Sequence, residues 1–223
     1  MYDLNQLSLD VILKIMIHSN GNIAYTEDEK KIRIEEASKH FGSFMEALGF
    51  DYKTDPNAMD TPHRVSKAYM NELLNGCFSA QPKITAFDNV DKYDGMVCQT
   101  NIKLVSLCAH HWLPFTGVAH VAYIPTEEGK VIGLSKLNRI VDWFARRCQV
   151  QENLTMQVHD YINKVCENNK GVAVLIEAGH SCCSNRGIGH NSNMKTAKMS
   201  GVFLDNNNNA RAEFYKFVEF AKN

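Results

Sequence analysis

Apolar residues recur with a helical period at the start of the chain. Leu4, Leu7, Val11, Ile12 and Ile15 share one stripe, which predicts an amphipathic helix over 3–18, broken by Gly21 and Asn22. Thr26 and Glu29 then form a capping-box pair ahead of a second stripe, Ile34, Ala37, Phe41, Phe44, Met45 and Leu48. This predicts a helix from Thr26 to the neighbourhood of Gly49. A face this apolar needs a partner, either the first helix or another subunit. Beyond a polar connection over 51–60, Thr61 and Pro62 read as the cap and first turn of a third helix, because proline lacks an amide proton that this position does not need.

Residues 77–93 read as a loop. From Met96 the period shortens to two, and strands are expected over 97–107 and 115–124, joined as a hairpin. A short extended piece over 131–134 leads into a helix capped by Ser135, with Leu137, Ile140, Val141 and Phe144 inward. The next helix opens near Gln149–Glu152, carries Leu154, Val158, Tyr161, Ile162 and Val165 on its stripe, and is stopped by Gly171. Val172–Glu177 reads as a strongly apolar strand, Met199–Leu204 as a further strand, and Ala210–Phe220 as a last helix. The mixture is of the α+β class.

Composition narrows the function classes. The 223 residues carry 24 basic and 25 acidic side chains, a formal charge of −1, so no general nucleic-acid surface is expected and any polyanion pocket must be local. No apolar run is long enough to span a membrane, and the start of the chain lacks a signal-peptide pattern. A cytoplasmic protein is expected, and its seven cysteines then read as reduced thiols, some of them bound to metal.

Two segments concentrate chemistry. SLCAHHWLP (106–114) holds the Cys-x-x-His pair Cys108 and His111, and EAGHSCCSNRG (177–187) adds His180, Cys182 and Cys183. Both lie where strands end, so facing strands can bring them into one coordination sphere. Zinc accepts thiolate and neutral imidazole, and three protein ligands with one open position mark a catalytic rather than a structural site. The reading is zinc on Cys108, His111 and Cys182, with His110 and His180 free for proton transfer. Cys183, adjacent to the chosen ligand, is the ambiguous residue.

Five stretches in order, TPHRV (61–65), SLCAHHW (106–112), VAYIP (121–125), GKVIGLSKLNRIVDWFARRCQVQENLT (129–155) and GVAVLIEAGHSCCSNRGI (171–188), resemble GTP cyclohydrolase I, with weaker similarity from about residue 30 to 215. The resemblance implies a tunnelling fold: an antiparallel sheet backed by helices, an N-terminal helical extension over 1–60, and a catalytic domain over 61–223. It also implies a ring-shaped homodecamer whose sheets close into a barrel, with sites at subunit boundaries. The implied reaction is hydrolysis of GTP at guanine C8 by a zinc-activated water, formate release, and rearrangement to 7,8-dihydroneopterin triphosphate. The His-x-Cys pattern favours Cys182 over Cys183 as ligand.

Further roles follow from the same resemblance. His180 protonates N7 and His110 shares proton transfer. Gln151 and Glu152 read the guanine edge, where N1–H and the 2-amino group lie side by side. Ser135, Lys136, Arg139, Arg64 and Arg186 take the ribose and triphosphate. Taken alone, Ser135 is a helix cap, Lys136 and Arg139 are surface charges, and Arg64 gains nothing from the helix dipole at its position. One departure stands out: the family's usual Cys-Glu-His-His is here Cys108-Ala109-His110-His111, which removes a carboxylate beside the metal motif. Two other readings compete: a related nitrile reductase, disfavoured because no nicotinamide fingerprint is present, and a catalytically silent zinc-binding assembly protein, which Ala109 makes conceivable.

Overall fold

The computed structural model describes residues 13–221. The expected first helix falls mostly outside them; within them only residues 13 and 14 are helical. The chain divides into two compact units, Met1–Ala80 and Gln81–Asn223.

In the first unit, helix α1 spans Glu27–Ala47 and begins with the expected capping box: Thr26 accepts from the Glu29 amide, and the Glu29 carboxylate accepts from the Thr26 amide at 2.7 Å. Its end is a glycine-dependent Schellman turn. Gly49 adopts φ +88°, its amide donates to Glu46, and the Phe50 amide reaches back to Met45. Much of the apolar stripe faces solvent, with Phe44 at 56% and Leu48 at 60% exposure. Helix α2, Thr61–Ala68, has Asp60 rather than Thr61 at its N-cap position, without a side-chain capping bond, which moves Thr61 and Pro62 one place into the first turn. It runs into a π-helical turn, Tyr69–Leu73, and a short helix α3, Asn75–Phe78, where the sequence suggested loop from Cys77. The Asn22 side-chain amide holds this end, donating to the carbonyls of Gly76, Cys77 and Ser79.

The second unit is built on a five-stranded sheet, ordered β5-β2-β3-β6-β7. Its strands are β2 (Val97–Cys108), β3 (Pro114–Pro125), β5 (Cys148–Gln149), β6 (Asn169–His180) and β7 (Asn193–Met199). A separate two-stranded ribbon pairs β1 (Ala86–Asp88) with β4 (Lys130–Ile132). The four long strands are antiparallel as expected, but β5 runs parallel to β2, so the sheet is mixed. Helices α4 (Leu134–Ala145) and α5 (Gln151–Val165) cover one face, burying Leu137, Ile140, Val141, Leu154, Val158 and Ile162 against Val121, Tyr123, Val174 and Ile176. The other face is covered at one end by Phe203 of a 3-10 turn (Gly201–Phe203) and by Phe214 and Val218 of α7 (Ala210–Phe220). The result is an α+β unit with a helix-backed sheet. Among the described residues no helix is long and apolar enough to cross a membrane.

Three local expectations are corrected. Ser135 does not cap α4; Gly133 occupies that position and Ser135 sits exposed in the first turn. Gly171 does not stop α5, which ends at Val165. Asn168 makes the turn at φ +56°, and Gly171 is already inside β6, paired with Ile124. The strand expected over 199–204 is instead β7 followed by the 3-10 turn. Gly201 forces that turn: it adopts φ +56°, and a side chain there would lie 2.0 Å from the Lys170 carbonyl oxygen.

The β3–β6 register sets the site, because it places Phe115 opposite His180. Gly117 lets these two strands approach, since a Cβ at that position would lie 1.9 Å from the Glu177 carbonyl oxygen. Gly117→Ala is expected to destabilise the protein by about 1–3 kcal/mol, the usual cost of overpacking. Thermal unfolding measures it, and an unchanged midpoint would mean that the strands separate there without penalty.

Candidate metal centre

Cys108 is the last residue of β2 and is buried. The chain reverses immediately after it. The Trp112 amide donates to the Cys108 carbonyl at 2.8 Å, and the Cys108 amide donates to the Leu113 carbonyl at 2.8 Å. Trp112 takes φ +55° to close this loop, an uncommon conformation for a bulky side chain. The turn folds His111 back over Cys108, with Nδ1 3.8 Å from Sγ. The Ala109 amide donates to Gln149, which ties the corner to β5.

The second half of the site comes from the end of β6. His180 is its last residue, and Cys182 lies in the four-residue helix α6, Ser181–Ser184, that follows. One ligand atom each from Cys108, His111 and Cys182 falls within 4.8 Å of the others. A tetrahedral zinc ion with bonds of about 2.0–2.3 Å holds its ligands at about 3.5–3.8 Å from one another, so small movements suffice to close this set on an ion. Its chemistry also fits. Burial, with the neighbouring Cys108 and Cys183 thiols, pushes the Cys182 thiol up to about 11. A cation reverses that balance by pairing with the thiolates. Cys183 is exposed and lies outside the three-residue set.

His110 is exposed, with Nδ1 3.8 Å from the Cys108 sulfur. His180 is held more tightly. Its ring stacks on Phe115, centroids 4.5 Å apart and planes 8° from parallel, and its Nε2 lies 2.8 Å from Gln151 Oε1. Burial lowers the His180 pKa from its ordinary value, and the Glu152 carboxylate partly opposes that shift. Gln151 is 1% exposed, whereas Glu152, the next residue in the first turn of α5, is open to solvent. The Gln151 amide nitrogen faces the Ile176 and Met194 carbonyls and Thr196 Oγ1, at 3.2, 3.1 and 3.1 Å.

The remaining sequence candidates lie on other elements. Ser135, Lys136 and Arg139 occupy the N-terminal part of α4; Ser135 and Arg139 are exposed, and Lys136 Nζ donates to the Lys83 carbonyl at 3.2 Å. Arg186 is exposed just beyond α6. Arg64 belongs to the first unit and pairs with Asp60 at 3.1 Å. Sequence reasoning missed Phe115, Thr155 and Thr196. Nothing in their local pattern marks them, since the Phe115–His180 and Thr155–Thr196 contacts span 65 and 41 residues.

A family model described as GTP cyclohydrolase I matches residues 37–219. Among curated proteins, the GTP cyclohydrolase 1 of Aeromonas salmonicida is 43% identical over 192 residues, covering 86% of this chain and 85% of its own. That of Flavobacterium johnsoniae is 41% identical over 221 residues, covering 96% of each. A Pseudomonas syringae pv. tomato protein described as GTP cyclohydrolase 1 1 is 46% identical over 186 residues, covering 81% of this chain and 94% of its own.

The geometry separates the two adjacent cysteines. Cys182→Ser is expected to lose most bound zinc, and Cys183→Ser to retain it, by metal analysis of protein purified with zinc. Equal loss in both variants would overturn the assignment.

Proposed function

The chain belongs to the GTP cyclohydrolase I family, and from that premise we propose that it opens the guanine imidazole ring of GTP and rebuilds it as 7,8-dihydroneopterin triphosphate. The observation that carries this reading is the set Cys108, His111 and Cys182, gathered at two strand ends beside a histidine held by its own partners. Zinc bound by these three residues supplies an acidified water near neutral pH and polarises the reacting centre.

The chain's own residues then divide the work. Glu152 accepts N1–H and the 2-amino group of guanine, which presents C8 to the centre. Its exposed carboxylate in the first turn of α5 supports that role. His180 takes the proton released as water adds at C8 and delivers it to N7 as the C8–N bond gives way, leaving a formamide. His110 orients water and shares proton transfer. A second water releases formate. The freed ribose chain undergoes an Amadori-type rearrangement and closes on the exposed amines with loss of water.

Charge for the triphosphate is local, because the chain as a whole is nearly neutral. Arg64, Lys136, Arg139 and Arg186 provide it, with Ser135 at the ribose-phosphate end, and arginine forks suit nonbridging oxygens. These groups come together across subunit boundaries in a ring-shaped homodecamer. The sheet supports such an assembly: β7 forms one edge and β2 is flanked at the other only by the two-residue β5. Pairing between subunits closes open edges of this kind into a barrel.

Ala109 favours a second reading, a zinc and nucleotide binder without turnover. The test is a mass-resolved assay of purified zinc-loaded protein with GTP, scoring formate, the opened formamide and dihydroneopterin triphosphate together. Full conversion is expected. Intact bound GTP would move the assignment to the silent binder. Ala109→Glu is expected to change kcat by less than about tenfold, below the roughly 10–100-fold usual for groups that orient a ligand from behind, because the three ligands and both other histidines are present. A gain of several orders of magnitude would mean that the natural site is impaired.

A further inference from the structure

The hydrogen bonds around Gln151 leave little freedom in how its protons are arranged. Two of the three atoms facing its amide end are backbone carbonyl oxygens, of Ile176 and Met194, which accept and never donate. The NH2 group must therefore point at them, and the opposite carboxamide orientation would set oxygen against oxygen. The third atom is Thr196 Oγ1. Thr155 Oγ1 donates to the Gln151 backbone carbonyl at 2.9 Å, so the 2.6 Å contact between the two threonine hydroxyls takes its proton from Thr196. Every donor is then directed, and Gln151 Oε1 is left facing His180 as an acceptor.

An acceptor at 2.8 Å from Nε2 requires a proton on Nε2. Phe115, fully buried, fixes the other degree of freedom by stacking on the imidazole and setting its plane. We propose that Gln151 and Phe115 are positioning residues that hold His180 as the Nε2–H tautomer in one ring orientation, with Nδ1 as the ring's acceptor nitrogen. Gln151 on this account does not read the guanine base with its side chain, and Glu152 does so alone. The role of His180 in turnover rests on the function proposed above; the tautomer does not.

Two measurements on the full-length protein test this, zinc-loaded for the spectroscopy and the kinetics and zinc-stripped for GTP binding. The first is magic-angle-spinning NMR of 15N-histidine-labelled protein, with the His180 signals identified by their loss in His180→Asn. A pyrrole-type Nε2 and a pyridine-type Nδ1 are expected, and a protonated Nδ1 with bare Nε2 would overturn the proposal. This reading survives if GTP is not a substrate, so its failure is distinct from failure of the functional assignment.

The second compares Gln151→Met with Glu152→Gln. Gln151→Met is expected to lower kcat about 100-fold, the scale of a misplaced acid–base group, with KM and GTP affinity within about twofold of the parent protein. Glu152→Gln is expected to weaken GTP binding instead, read by calorimetry on zinc-stripped protein. Weakened GTP binding in both variants alike would make Gln151 a base-reading residue and overturn the proposal. If Gln151→Met fails to fold, the tautomer measurement on the parent protein decides.

Discussion

The register between β3 and β6 is the constraint on which the rest of the site depends. Side chains alternate across a sheet, so a slip of one residue would send Phe115 and His180 to different neighbours and turn the inward set of β6 outward. With the register held, Phe115 meets His180, and Pro114 lies opposite Leu107 at the base of the turn that carries Cys108. The three metal-ligand candidates are therefore close because the ends of β2 and β6 coincide. Ala119, Val121, Tyr123, Val172, Val174 and Ile176, all fully buried, enforce that coincidence from the middle of the sheet.

Hydrophobic burial fixes which face is inward but not the angle of an imidazole. That part falls to the polar cluster beneath the site, where Gln151, Thr155 and Thr196 satisfy one another and two backbone carbonyls. Leaving any one buried polar group without a partner costs about 1–3 kcal/mol, so the cluster resists partial rearrangement. Glu152, Arg139 and Arg186, by contrast, are exposed. Under the proposed function, this arrangement fixes the His180 geometry and leaves recognition to the exposed charges.

The sequence was most legible where chemistry is local. The Thr26–Glu29 box, the hairpin, the inward stripes of α4 and α5 and the helix Ala210–Phe220 all follow from spacing within a turn or a strand. The Cys-x-x-His and His-x-Cys segments likewise named three residues that the fold gathers. What escaped was non-local or lacked alternation. β7 is an edge strand with both faces largely open, so Asn193–Met199 shows no period-two signal. The parallel strand β5 is two residues long and owes its existence to its neighbour β2. The resemblance assigns Gln151 and Glu152 together to the guanine edge, and adjacent residues on a helix point about 100° apart, which no local pattern resolves. One is buried and the other exposed.

The same separation bears on Ala109. A carboxylate at that position would sit on the turn after Cys108, on the side of the site formed by the β2–β3 corner and β5. The groups in contact with His180 come from α5 and β3, with Thr196 of β7 behind Gln151, and none of them is residue 109. Replacing a carboxylate with a methyl therefore removes charge near Cys108 without breaking any hydrogen bond in the His180 support. The Ala109 backbone amide still donates to Gln149, so the corner keeps its anchor as well. The substitution acts on the electrostatics beside Cys108 and the adjacent His110, and it leaves the hydrogen bond and ring stacking that hold His180 untouched.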